Sequence, residues 1–165
     1  MPEKKTNLSS AETNQLPQIK KARIGIAVSM WNKEVTSAML EGALDVLKKC
    51  GVKKPNIIIE WVPGSYELPL ASQFLIRYCK TDAVICIGSV IQGETRHFEF
   101  ICQAVAHQIA QVSTNHNTPV IFGVLTTDSM QQAIDRSGGK HGNKGVEAAV
   151  AAVQMIAMKE KLRDY

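Results

Sequence analysis

From Ala83 to Ser89 the chain reads Ala-Val-Ile-Cys-Ile-Gly-Ser, apolar at almost every position and without the alternation that a sheet wetted on one face imposes. A short continuous apolar run of this kind fits a strand covered on both faces, the situation of strands in parallel sheets sandwiched between helices. The strand runs into a glycine turn, Val90-Ile-Gln-Gly-Glu-Thr95, and then into a helix whose first turn carries His97. Free backbone N–H groups and the positive end of the helix dipole make such a turn a candidate site for an anion such as phosphate. A histidine beside bound phosphate is a candidate proton donor and acceptor.

The same change of period recurs along the chain. Ala22 to Ser29 is a first buried strand, and Asn32 reads as the N-cap of a helix in which Val35, Met39, Leu40, Ala43 and Leu47 recur until Gly51 stops it. Ile57 to Val62 is a second strand, halted by Pro63-Gly64. Ser65 then begins a turn into a helix with Leu68, Phe74, Leu75 and Tyr78, where Pro69 fits only in the first turn. The helix after Thr95 carries Phe98, Ile101, Val105 and Ile109 on one face, and Pro119 opens a fourth strand, Val120 to Leu125. Asp128 with Gln131 has the form of a capping pair for a helix from Ser129 to about Arg136, broken by Ser137 to Gly145. A last helix runs from Val146 to about Leu162.

Strands alternating with helices predict a three-layer α/β/α domain on a four-stranded parallel, flavodoxin-like sheet. Ligands of such sheets sit beyond the carboxyl ends of the strands. Four segments fall there: Ser29 to Asn32, Pro63 to Glu67, Ser89 to His97, and Thr126 to Asp128.

At 165 residues and 45% hydrophobic content the chain can bury one good core and is too short for two ordinary domains. Residues 22–165 read as that domain and residues 1–21 as a polar, flexible leader. The first fifteen residues lack the apolar centre of a secretory signal, and they contain Glu3 and Glu12 but no arginine, so the expected location is the cytoplasm. A net charge of +4 with scattered basic residues argues against nucleic acid as a partner. No apolar run approaches the roughly eighteen residues of a membrane span, so no membrane is expected. Cys50, Cys79, Cys86 and Cys102 contain no C-x-x-C pair and read as small hydrophobes in a reducing compartment. No carboxylate or cysteine stands at ligand spacing near His97, His107, His116 or His141, so no metal is expected.

The glycine-rich stretches do not support a nucleotide site. Gly25-Ile-Ala-Val-Ser stands where G-x-G-x-x-G would be needed, and Gly138-Gly-Lys-His-Gly-Asn-Lys-Gly145 does not have P-loop spacing. That second run is a flexible joint, part of a site, or both. Trp31, just past a strand end, is either a core residue or a stacking surface for a planar ring. Ser65 and Glu67 either hydrogen-bond a polyol or cap a helix. Arg136 and Lys144 are solvated charges, or Arg136 grips phosphate by its planar fork.

Four stretches together resemble the lumazine synthase family: Val62-Pro-Gly-Ser-Tyr-Glu-Leu-Pro69, Ile87-Gly-Ser-Val-Ile-Gln-Gly-Glu-Thr-Arg-His-Phe-Glu-Phe100, Pro119-Val-Ile-Phe-Gly-Val-Leu-Thr-Thr-Asp128 and Gln132-Ala-Ile-Asp-Arg-Ser-Gly-Gly-Lys-His-Gly-Asn-Lys-Gly-Val-Glu-Ala-Ala149. They follow the family's order and spacing. The resemblance implies a transferase of riboflavin biosynthesis. It would condense 5-amino-6-(D-ribitylamino)uracil with 3,4-dihydroxy-2-butanone 4-phosphate to 6,7-dimethyl-8-ribityllumazine, phosphate and water, without metal or organic cofactor. Carried over by position, Trp31 would stack on the pyrimidine, and Ser65, Tyr66 and Glu67 would line the ribityl pocket. Ser89, Val90 and Ile91 would offer main-chain contacts to the uracil edge. Glu94 and Thr95, through the loop backbone, and Arg136 would hold the phosphate. His97 would be the proton donor and acceptor, and Phe122 and Lys144 would complete the pocket from a neighbouring subunit.

The resemblance also implies a homo-pentamer, and Ser137 to Gly145 lacks the insertion that holds some members at that stage, which favours an icosahedral shell of pentamers. Two positions depart from the common pattern: Trp31 stands where phenylalanine is more usual, and Gln92 replaces a frequent basic residue. Two rival readings share the fold, a non-catalytic flavin or lumazine carrier suggested by Trp31 and a shell-forming structural protein. A carrier would need neither His97 nor Arg136.

Overall fold

The computed structural model describes residue 8 and residues 15–165. Four parallel strands, β1 (Ile24–Ser29), β2 (Ile57–Val62), β3 (Ala83–Ile91) and β4 (Val120–Thr127), form one sheet in the order β2-β1-β3-β4. The helices are α1 (Lys33–Lys49), α2 (Leu68–Cys79), α3 (His97–His116), α4 (Met130–Asp135) and α5 (Lys144–Arg163). The expected three-layer α/β/α arrangement is the one observed.

Side chains on a strand alternate between faces, and the two faces fill two cores. Ile24, Ile26 and Val28 of β1 join Ile85 and Ile87 of β3 against α1 and α5. Ala27, Val84, Cys86 and Val124 point the other way, against Leu68 and Leu75 of α2 and Val105 and Ile109 of α3. Each fully buried isoleucine contributes about 1.5–3 kcal/mol relative to exposure. Cys86 Sγ lies 3.0 Å from Ser72 Oγ. Burial pushes its thiol up to about 12, the Ser72 hydrogen bond pulls the other way, and Cys86 remains an uncharged packing group at neutral pH. The cysteines at 50, 79, 86 and 102 are all free thiols. Among the described residues no helix is long and apolar enough to cross a membrane.

Several local expectations change. The flexibility expected of residues 1–21 falls largely outside the described residues, but the end of that segment packs on the domain. Ile19 is buried and its N–H donates to Cys50 O at 3.0 Å, while the Gln18 amide donates to Lys49 O at 3.1 Å, so the packed body begins before residue 22. In α2, Leu68 and Leu75 are buried, whereas Phe74 and Tyr78 are exposed and pair with each other, ring centroids 5.9 Å apart. The cap of α4 is shifted by one residue: Ser129 Oγ accepts from Gln132 N, and Gln132 Oε1 accepts from Asp128 N at 2.9 Å. Ser137 to Gly145 is not a bare joint, because β5 (Ser137–Gly139) and β6 (Gly142–Asn143) pair there as a small antiparallel hairpin.

Asn143 fastens that hairpin to the rest of the domain. Its Oδ1 caps α5 by accepting from Gly145 N at 2.8 Å and Val146 N at 3.3 Å. Its Nδ2 donates to Ala38 O of α1 at 3.0 Å and to Ser137 O at 3.1 Å. That same first turn of α5 presses onto α1 so closely that a Cβ on Gly145 would lie 1.9 Å from Met39 O. Backbone cannot swing aside as a side chain can, and overpacking of this kind is destabilising. Gly145→Ala should therefore cost about 3 kcal/mol of stability in denaturant unfolding. A cost below about 0.5 kcal/mol would show that α1 and α5 can separate freely.

Candidate active site

The connection after β1 passes to α1 on one face of the sheet, and the connection after β3 passes to α3 on the other. Neighbouring strands whose connections diverge leave a crevice at their carboxyl ends, the usual ligand position in such sheets. A cleft of about 800 Å³ lies there. A second cleft, of about 560 Å³, lies between the C-terminal ends of α3 and α5, at the amino end of β4 and away from His97.

The first cleft gathers residues from three of the four segments that the sequence placed at the strand ends. Trp31 comes from the β1–α1 turn; Ser65, Tyr66 and Glu67 come from a turn of 3-10 helix before α2; Ser89, Val90 and Ile91 end β3. His97 is the first residue of α3 and completes the wall. The fourth segment, at the end of β4, pairs with β3 and does not line the cleft. Ile101, expected only on the core side of α3, reaches the cleft as well. Its signal was hidden because one turn of helix carries it from the core to the strand ends.

Trp31 is 72% exposed and therefore not a core residue. A Cβ on Gly64 would sit 3.3 Å from the indole Cδ1, so the ring edge rests against that turn. Glu67 Oε2 accepts the Gly64 N–H at 2.9 Å, which shapes the turn and holds the carboxylate beside the cleft. The Ser65 hydroxyl is buried, and it lies 2.5 Å from where a Cβ on Gly88 would be. Ser65 itself is among the residues that line the cleft.

β3 pairs with β1 only as far as Ile87, opposite Val28, but with β4 as far as Ile91, opposite Thr127. The end of β3 thus outruns its neighbour and shows one main-chain edge to the cleft. Asn32 closes part of that gap. It occupies the N-cap position of α1 with φ 55°, yet its side chain makes no cap; instead Nδ2 donates to Ser89 O at 2.9 Å. One bond so fixes the turn that carries Trp31 to the strand end that faces it.

Gln92, Gly93, Glu94 and Thr95 form the exposed bend between β3 and α3. The Gln92 amide donates to Gly93 O at 2.7 Å and to Thr95 O at 3.4 Å, tying the bend together without a cation of its own. Glu94 and Thr95 adjoin the cleft in sequence but do not line it in the single chain.

Phe122, Arg136 and Lys144 do not line it either. Phe122 is half-buried in the middle of β4, on the α2–α3 side. Arg136 Nη2 pairs with Glu147 Oε1 at 2.8 Å, its Nη1 donates to His141 O, and Lys144 Nζ pairs with Glu147 Oε2 at 3.1 Å. Glu147 is a residue that the sequence reading left unassigned, since a lone glutamate in the first turn of a helix looks like a partner for the helix dipole. Among the described residues, no group of three or more histidines, cysteines, aspartates and glutamates is placed to hold a metal ion.

Residues 21–160 match the family model described as 6,7-dimethyl-8-ribityllumazine synthase. A protein of that name from Cytophaga hutchinsonii is 54% identical over 151 residues, covering 92% of this chain and 94% of its own. Namesakes from Porphyromonas gingivalis and Phocaeicola vulgatus are 49% and 47% identical; they cover 93% and 95% of this chain, and 95% and 94% of their own lengths.

The role of Asn32 can be separated into its bond and its backbone. Asn32→Gly keeps the left-handed conformation and loses the bond to Ser89 O, which should cost about 1 kcal/mol. Asn32→Ala also forces a Cβ into that conformation and should cost about 2 kcal/mol in all. Denaturant unfolding of the two variants checks the order; equal losses would show that residue 32 relaxes to another conformation.

Proposed function

The chain belongs to the 6,7-dimethyl-8-ribityllumazine synthase family, and from that premise we propose how its residues divide the work. The enzyme is a transferase of riboflavin biosynthesis that condenses 5-amino-6-(D-ribitylamino)uracil with 3,4-dihydroxy-2-butanone 4-phosphate. The product is 6,7-dimethyl-8-ribityllumazine, and phosphate is released. Nothing favours a carrier or a purely structural shell protein.

The pyrimidine's own amine attacks the ketone, so the protein need supply no nucleophile. Trp31 stacks on the pyrimidine ring, and the free edge of β3 at Ser89, Val90 and Ile91 reads the uracil. Ser65, Tyr66 and Glu67 line the pocket for the ribityl chain. His97 moves protons between the reacting atoms, and phosphate departs toward the N–H groups at Glu94 and Thr95. Orienting two substrates in this way can lower the barrier by about 7 to 11 kcal/mol in favourable cases. The observation that most supports this division is that Trp31, Glu67 and His97, from three separate connections, line one cleft at the switch in strand order.

Arg136 holds the phosphate, and Phe122 and Lys144 complete the pocket. On this reading they serve the cleft of a neighbouring copy, which is consistent with their lying away from the cleft of their own chain. Arg136 and Lys144 share one carboxylate and so enter together. The working unit on this reading is a homo-pentamer in the cytoplasm, and the hairpin, free of insertions, lets pentamers close into an icosahedral shell.

A steady-state assay with both substrates, followed by lumazine absorbance, tests the reaction. His97→Ala should lower turnover on the order of 10²-fold, the scale of lost general acid–base help. Turnover equal to wild type would remove His97 from the mechanism. Sedimentation velocity at neutral pH should show an assembly larger than one pentamer. A stable, active pentamer would exclude the shell, and an active monomer would exclude the shared pocket.

A further inference from the structure

Arg136 lies at the end of α4 and Lys144 at the start of α5, with the hairpin between them, yet their side chains converge on the two oxygens of one carboxylate, Glu147. The main chain closes the same loop, since Lys144 N donates to Arg136 O at 2.9 Å. The Glu147 side chain is only 10% exposed, whereas those of Arg136 and Lys144 remain 26% and 30% exposed. The carboxylate is therefore the buried base of the cluster and the cations are its accessible top.

We propose that Glu147 is a positioning residue that holds Arg136 and Lys144 as one preformed cationic clamp for the phosphate of the butanone substrate. This rests on the reading above, in which Arg136 holds that phosphate. Two like charges repel at this spacing, and a carboxylate between them removes the repulsion while fixing each by a charge-assisted hydrogen bond. Arginine and lysine side chains otherwise carry much rotamer freedom, which would be lost on binding each substrate molecule. The contacts to Glu147 and to His141 O use two of the five guanidinium donors and leave others for an anion. The base itself is rigid, because α5 is capped by Asn143 and pressed onto α1 at Gly145. A negative group beside an anion site would by itself weaken binding, so its value lies in orientation.

The test compares KM values for both substrates in the assembled enzyme, using wild type, Glu147→Gln, Arg136→Ala and the double variant. Glu147→Gln should raise KM for the butanone phosphate about tenfold, the scale of one charge-assisted hydrogen bond, and leave KM for the ribitylaminouracil within about twofold. In the Arg136→Ala background, Glu147→Gln should raise KM by less than it does in wild type, because the part of its effect that runs through the arginine is already gone and only the part through Lys144 remains. If Glu147→Gln does not assemble, the same split is read on Glu147→Asp, which keeps the charge but withdraws the carboxylate by one methylene. A normal phosphate KM in the Glu147 variant, with a raised one in Arg136→Ala, would overturn the positioning role and leave the proposed function standing. An equal rise for both substrates would make Glu147 merely structural and overturn it too. A normal phosphate KM in Arg136→Ala would overturn the clamp and the role of Glu147 together.

Discussion

β1 and β3 occupy the middle of the sheet, and neither has a face left for water: Ile24, Ile26, Ile85 and Ile87 are sealed by α1 and α5, Ala27, Val84 and Cys86 by α2 and α3. Two-sided burial of parallel strands obliges successive connections to cover both faces. The connections after β1 and β3 diverge to do so, and the crevice between them is where Trp31, Glu67 and His97 meet. The cleft is thus a by-product of sealing the core, which accounts for its fixed place at one end of the sheet.

A strand pair of unequal length adds a free main-chain edge to the cleft. Because β3 keeps pairing with β4 after β1 has turned away into α1, main-chain groups near Ser89 and Ile91 lose their strand neighbour. Asn32 bridges to one of them and holds the turn bearing Trp31. The positive φ at Asn32 is the strain associated with that bridge.

The cationic cluster is built on separate foundations. Asn143 and Gly145 weld the hairpin and α5 to α1, and Glu147 rises from that base to grip Arg136 and Lys144. A single chain therefore carries two separate features, a cleft lined by Trp31, Glu67 and His97 and a cluster that presents positive charge. Their separation within one fold is what makes a neighbouring copy part of the functional proposal.

Continuous apolar runs and helical spacing were enough to place the four strands and the main helices, because burial on both faces and helix periodicity are written in adjacent residues. The places of Trp31 and His97 beside one cleft and the turn at Pro63-Gly64 were also legible, since they sit at the ends of those runs. Asn32 was not, because its side chain could cap the helix beside it or reach across to Ser89, and only the position of β3 decides between the two. Phe74 and Tyr78 had helical spacing with the core residues yet face outward, since periodicity gives the stripe and the sheet chooses its side. Glu147 became visible only when the hairpin folded back on α5. The sequence by itself determined which segments form strands and helices, through interactions between near neighbours; the tertiary structure alone decided which distant polar groups meet, because those pairings depend on how the buried faces dock.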